Sequence, residues 1–231
     1  MTPTQDGGFH AVADFLMQDR QGNEGLRPED RALATIGCLL AVGPDSPELD
    51  AALRTAMADG VPPRTIDAVL VHAIGYLGVV VVRRAHRRWT LLREALALPE
   101  ESKALPPIAS DRQQRVDQGS ALYDRFDPGR QAQQAEKFAA LSPDYYPRAM
   151  ELSGLVLADP ALALRERQMV TVAILSCMGG QPDQLRFHMG VALRNGVAQE
   201  VLAAVLVIVQ AFAGMPRANS AAALALEVLQ P

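Results

Sequence analysis

Arg167-Gln168-Met169-Val170-Thr171-Val172-Ala173-Ile174-Leu175 decides the fold, because a related stretch begins 136 residues earlier at Arg31. Laying residues 31–83 over 167–219 without a gap aligns Arg31 with Arg167, Thr35 with Thr171, Leu39 with Leu175 and Gly43 with Gly179. The same offset pairs Leu49 with Leu185, Gly60-Val61 with Gly196-Val197, Ala68-Val69-Leu70-Val71 with Ala204-Val205-Leu206-Val207, and Gly78 with Gly214. Most differences between these anchors exchange one apolar residue for another. An ungapped self-match of this kind indicates duplication of one structural module.

The punctuation inside each copy is helical. Amphipathic runs open at Asp30-Arg31 and Arg167-Gln168 and stop near Gly43 and Gly179-Gly180. Second runs follow Pro47 and Pro182 and end at Asp59-Gly60 and Asn195-Gly196, where glycine can take the left-handed C′ position. Third runs start beyond Pro62-Pro63 and Ala198, and nothing alternates as a strand would. Between the copies, residues 111–126, 131–141 and 143–157 have helix-compatible composition, bounded by Asp127-Pro128-Gly129, Ser142-Pro143 and Asp159-Pro160. The expectation is an all-α fold of two tandem modules in a pseudo-two-fold arrangement. Residues 1–100 form the first, divergent module, 101–110 a linker and 111–231 the second module. The shorter prefix of the first copy, residues 9–28, predicts a thinner outer layer there.

Composition narrows the function classes. The 231 residues are 49% hydrophobic, 5% aromatic and 21% charged, which describes a globular, aliphatic-rich chain. A net charge of −4 gives no global field for a phosphate backbone, so no nucleic-acid partner is expected. The strip Arg83-Arg84-Ala85-His86-Arg87-Arg88-Trp89 reads as a solvated helix face. Two cysteines, Cys38 and Cys177, form neither a CxxC nor a zinc spacing, Cys177 reads as a small core side chain, and no metal site is expected. The opening residues lack the basic-then-apolar pattern of a secretory signal. The apolar stretches Val69 to Val82 and Val201 to Met215 fall short of the roughly 18–20 residues of a spanning helix. A cytoplasmic protein with no membrane partner is the expectation.

The ordered motifs Arg167-Gln168-Met169-Val170-Thr171, Leu185-Arg186-Phe187-His188, Arg194-Asn195-Gly196-Val197 and Ala213-Gly214-Met215-Pro216-Arg217-Ala218-Asn219 resemble the carboxymuconolactone decarboxylase family. Its superfamily includes the alkylhydroperoxidase D enzymes. The resemblance covers residues 111–229 well and 29–98 more faintly. It implies paired helical modules that commonly assemble as trimers of dimers, so a homo-oligomer, with a trimer favoured, is expected of a fused tandem. Thiol peroxidase chemistry in this superfamily needs CxxC, a following His and a Glu on the preceding helix. Here those slots hold Gln181, Gln184 and Gln168 before His188, and Asp45, Glu48 and Ala32 in the first copy, so peroxidase activity is disfavoured.

On the decarboxylase side the resemblance implies an early His before the Asn-Gly stop and a late segment like His-x-Ala-x-Tyr-Ala-Gly-x-Pro. The second copy keeps the early residue as His188 but has Ile208 and Phe212 in the late slots. The first copy has Ala52 early and His72-Ala73-Ile74-Gly75-Tyr76-Leu77-Gly78 late. If the early slot of one module faces the late slot of the other, His72, His188 and Tyr76 converge on one catalytic site, and Ala52, Ile208 and Phe212 line an apolar counterpart. The alternative places each half-set in its own module.

Loss of carbon dioxide from a carboxylate beta or vinylogous to a carbonyl leaves an enolate or dienolate. It needs a hydrogen-bond donor for the oxyanion and a proton for carbon, and no cofactor is needed when the substrate carries its own electron sink. The expected function is therefore a cofactor-independent lyase acting on a small anionic lactone or unsaturated acid. His72 is the expected proton donor, His188 a second acid/base or oxyanion donor, and Tyr76 an orienting donor. Arg83 is the first choice for the substrate-carboxylate clamp, with Arg217 and Asn219 as further substrate-binding candidates. An enolate-type isomerase or cyclase, or a non-catalytic ligand-binding scaffold, fits the same residues. The absence from the first copy of a proline matching Pro216 leaves the backbone at Gly78-Val79 open.

Overall fold

The Arg31 and Arg167 runs fold as α1 (Pro28–Val42) and α7 (Leu164–Met178), both 15 residues long and in the same repeat register. The structure, a computed structural model, describes residues 11–13, 15, 16, 25–99, 108–126 and 128–230. The first copy continues with α2 (Pro47–Ala58) and α3 (Pro63–Ala95), and the second with α8 (Pro182–Arg194), α9 (Gln199–Ala213) and α10 (Met215–Leu229). Between them come α4 (Arg112–Phe126), α5 (Arg130–Ala139) and α6 (Tyr145–Val156). No strand occurs among the described residues, and the fold is all-α. Of the prefix 9–28, most lies outside the described residues, as does most of the 101–110 segment and all of His10.

The duplication is visible in the backbone. Gly60 and Gly196 close α2 and α8 with φ of 93° and 85°. Behind them Val61 N–H reaches the Ala56 carbonyl at 2.9 Å, and Val197 N–H reaches that of Ala192 at 3.0 Å. These are paired left-handed stops that satisfy the carbonyls a helix end leaves open. The question at Gly78 is answered the same way. Its φ of 77° and ψ of 159° match the 79° and 162° of Gly214, so α3 breaks where α9 ends and α10 begins, without a proline. A Cβ at Gly78 would meet nothing within 4 Å, so the requirement there is the torsion angle and not space. Pro63–Ala95 has the length and apolar composition to cross a membrane, but this bend divides it, and Ile66, Val69, Leu70 and Ala73 of its first half are buried.

The two cores interlock. One is built around Ile36, Leu40, Leu53, Ile66 and Trp89 and takes in Leu162, Val170 and Ile174 from the second copy. The other surrounds Met169, Val172, Met189, Leu202 and Val205 and takes in Leu26, Ala34 and Cys38 from the first. Each fully buried Leu or Ile contributes about 1.5–3 kcal/mol, so the shared residues tie the copies into one folding unit. Gly37 lets α1 lie close along α7: a Cβ there would stand 3.1 Å from the Ala173 Cβ and from the Val170 carbonyl oxygen. At the same seam the Asp30 carboxylate, 1% exposed, receives both Arg165 Nη groups at 2.9 Å and the Arg27 guanidinium at 2.7 Å. Cys38 and Cys177 also lie here as free, buried thiols, and the neighbouring Cys177 together with burial pushes the Cys38 thiol well up.

The intervening helices pack by a closer approach. A Cβ on Gly119 of α4 would fall 1.7 Å from the Met150 carbonyl oxygen, and one on Gly154 of α6 would fall 2.5 Å from that of Arg115. The two glycines therefore permit backbone-to-backbone contact between α4 and α6. Beside it the buried Glu151 is held by Arg115 at 2.7 Å and by Arg148, which keeps its carboxyl down at about 2.

Candidate functional site

His72 sits on the first half of α3, wholly buried, with both ring nitrogens bonded across the module seam to α7. Arg167 Nη1 lies 3.2 Å from Nδ1, and since a guanidinium only donates, Nδ1 must be the acceptor and the proton must be on Nε2. Nε2–H then donates to Thr171 Oγ1 at 2.8 Å, and the Thr171 hydroxyl donates onward to the Arg167 carbonyl at 2.9 Å. Arg167, 3% exposed, is itself fixed by three carbonyls: Val156 at 3.1 Å, Asp159 at 2.8 Å and Leu162 at 3.0 Å. Burial, the Arg167 charge and the nearby His188 all oppose a second proton on His72, whose pKa is driven well below the ordinary histidine range.

Tyr76, one helical turn on, links this buried chain to the second imidazole. Its ring meets His72 edge-on at 5.1 Å and His188 edge-on at 5.4 Å between centroids. Burial pushes its phenol up to about 12, with the Thr171 hydroxyl and the Arg167 charge acting in the opposite sense, so it remains an O–H donor at neutral pH. His188, half-buried on α8, donates from Nδ1 to Gln168 Oε1 at 2.9 Å. That bond orients the ring and makes Nε2 the basic nitrogen. Phe187 meets His188 at 5.0 Å and stacks on Tyr123 of α4 at 6.3 Å, so the intervening helices contribute a wall.

The structure thus brings His72, Tyr76 and His188 together from two modules. The pseudo-symmetric positions hold Ala52 and Ile208, both buried in the cores, and the half-buried Phe212. Arg83 and Asn219 are exposed at equivalent places beyond the Gly78 and Gly214 bends, and neither forms a hydrogen bond or ion pair with the three site residues. Arg217 is also exposed and binds the Cys177 carbonyl at 2.6 Å, beside a different cavity. Among the described residues, a cation that does touch the site is Arg167, through His72. Arg167 and Thr171 were visible in the sequence as repeat anchors, but their pairing with His72 spans 95 and 99 residues and leaves no local signal. Tyr123 has no counterpart in the repeat and was found only by the packing of α4. Tyr145 is exposed against Phe138, and the buried hydroxyl of Tyr146 has no hydrogen-bond partner among the described residues.

Among the described residues no group of three or more His, Cys, Asp or Glu side chains is placed to hold a metal. The family model for the carboxymuconolactone decarboxylase family matches twice, at residues 7–91 and 143–227, and both ends of the two matches are displaced by the 136 residues of the internal repeat. A curated 4-carboxymuconolactone decarboxylase of Acinetobacter baylyi is 34% identical over 77 residues, covering 33% of this chain. The match spans 57% of that relative's length. Two helical copies in register, each matching the same family over most of its length, establish that the chain belongs to the carboxymuconolactone decarboxylase family.

Proposed function

We propose that the chain is a cofactor-independent lyase that decarboxylates a small anionic lactone or unsaturated acid, with His188 as the proton-transfer group. The observation that carries this reading is the contact of Tyr76 with both imidazoles, which groups a fixed O–H donor with a basic nitrogen at one seam. The substrate carboxylate leaves as carbon dioxide, and its bonding pair moves through the conjugated system onto the carbonyl oxygen. Tyr76, held protonated by burial, donates to that oxygen as charge develops. The protonated His188 ring delivers a proton from Nε2 to carbon, while the Gln168 carbonyl steadies the imidazolium through Nδ1–H.

His72 has a different task in this scheme from the one its sequence position implied. Its only proton is directed at Thr171, and a second is opposed by Arg167, so it acts as a neutral strut holding Tyr76 against α7. The buried guanidinium of Arg167, hydrogen-bonded to carbonyls and, among the described residues, to no carboxylate, although the Asp159 charge lies near it, favours an anionic substrate at this seam.

The test is incubation with a panel of lactone and enoic acids in deuterated buffer, read by mass spectrometry. Loss of carbon dioxide with one solvent deuterium in the product, abolished by His188→Gln, is the expected result. Deuterium uptake without mass loss would reassign the chain as an isomerase, and no reaction across the panel would favour a ligand-binding scaffold.

A further inference from the structure

We propose that a second ligand site lies within the second module alone, where the end of α7 and the start of α8 face α10, and that it takes a small monocarboxylate with a compact apolar body. The cavity there measures about 420 Å³, a size typical of small-molecule sites. Leu175, Leu185, Pro216, Ala221 and Leu224 supply apolar walls, and Gln181, Ser176, Arg217 and Ser220 supply polar groups. None of His72, Tyr76, His188 or Gln168 borders it, so this site does not depend on the lyase reading.

Three features point to an anion. Ser176 lies on the wall, 1% exposed, and its hydroxyl has no hydrogen-bond partner among the described residues. A buried hydroxyl left unpaired costs free energy, and because Ser176 borders the cavity a rotation of its side chain can offer that hydroxyl to a ligand there. Arg217 is anchored by Nη1 on the Cys177 carbonyl at 2.6 Å, with its stem over Gly179, and no carboxylate pairs with it among the described residues. Its remaining N–H groups can meet a carboxylate in the forked geometry that Arg favours. Finally, α8 opens at this cavity without a side-chain cap, so its first-turn N–H groups add positive potential. Asp183 in that turn is 94% exposed and paired with Arg186 at 3.1 Å, so it is directed to solvent.

The first module is built differently at the matching positions. The repeat register puts Leu40 where Ser176 stands, Val81 where Arg217 stands and Arg88 where Leu224 stands. Leu40 is fully buried, and the Arg88 guanidinium is committed to the Asp45 carbonyl at 2.9 Å and the Asp50 carboxylate at 2.5 Å. The same register puts Asp45 where Gln181 stands and Arg84 where Ser220 stands, so the first copy carries charge here too but lacks the hydroxyl and the guanidinium at the Leu40 and Val81 positions.

Benzoate is a suitable probe, titrated into the full chain by two-dimensional amide NMR with benzyl alcohol as the neutral control. Saturable shifts centred on Gly179, Gly180 and Ser220 are expected. Loss of the charged hydrogen bonds in Arg217→Gln should weaken binding roughly tenfold to a hundredfold, and Ser176→Ala a few-fold. Arg217→Lys should fall between, and His188→Gln should bind as the wild type does. Absence of saturation, equal binding of benzyl alcohol, or binding lost in His188→Gln but kept in Arg217→Gln would each overturn the proposal. The last outcome would move the anion to the seam and leave the lyase reading intact.

Discussion

Lowering the pH from about 7.5 to about 5 should destabilise the protein through His72, and substituting that residue by Gln should remove this component. In the unfolded chain an imidazole takes up its second proton near the ordinary value of about 6.5. In the folded chain burial and the Arg167 charge hold the His72 pKa well below that value. Above about 6.5 both states are neutral at this residue and its contribution is fully present. Below it the unfolded state binds a proton that the native state refuses, so stability falls by up to about 1.4 kcal/mol per pH unit until the folded pKa is reached. Between 6.5 and 5 the loss is at most about 2 kcal/mol. His72→Gln keeps a donor for Thr171 but costs Arg167 Nη1 one of its two acceptors, the Val156 carbonyl remaining, an initial cost of about 1–3 kcal/mol at neutral pH. The stability gap between the two proteins, from urea unfolding followed by circular dichroism, should therefore narrow by up to about 2 kcal/mol at pH 5. The other histidines are common to both proteins and cancel. Asp30 and Glu151, both lowered by their arginine partners, lose their contributions only as the pH falls below the ordinary carboxylate values. A gap that stays constant from pH 7.5 to pH 5 would refute the assignment of His72 as a buried neutral ring.

Other consequences follow from packing and chemistry. Gly119→Ala should cost more than Gly78→Ala in thermal melts, because its Cβ would fall 1.7 Å from a backbone oxygen whereas Gly78 has only its φ of 77° to lose, a strain of about 1–3 kcal/mol. Equal melting temperatures would contradict the close approach of α4 and α6. Tyr76→Phe should lower kcat by about tenfold or more with little change in KM, since the donor acts on charge that develops during reaction; a change confined to KM would place it in substrate binding instead. Asp30→Asn should destabilise at neutral pH and lose that deficit as the wild-type carboxylate is protonated at acid pH, measured by urea midpoints across that range.

Much of the fold was legible because duplication left an ungapped register, and the Asn195-Gly196 and Asp59-Gly60 stops are local backbone features that sequence reports directly. The break in α3 was harder to read: Gly78 lacks the proline that follows Gly214, and only its torsion angles reveal the shared bend. The grouping of His72, Tyr76 and His188 could be framed from complementary losses between copies, since each half lacks what the other retains. What local periodicity could not convey was the environment of each ring. His72 sits on an apolar helix in both readings, and its neutrality comes from Arg167 and Thr171, nearly a hundred residues away in sequence. Cys38 and Cys177 were separated by every spacing rule, yet the packing of α1 along α7 makes them neighbours.

The seam is tested most directly by nitrogen-15 NMR of the histidine rings between about pH 8 and pH 5. His72 should remain neutral with its proton on Nε2 throughout, and neutral His188 should carry its proton on Nδ1, toward Gln168. A His72 ring that charges near its ordinary pKa of about 6.5, or that holds its proton on Nδ1, would contradict the arrangement in which the first module supplies a fixed strut and the second supplies the moving proton.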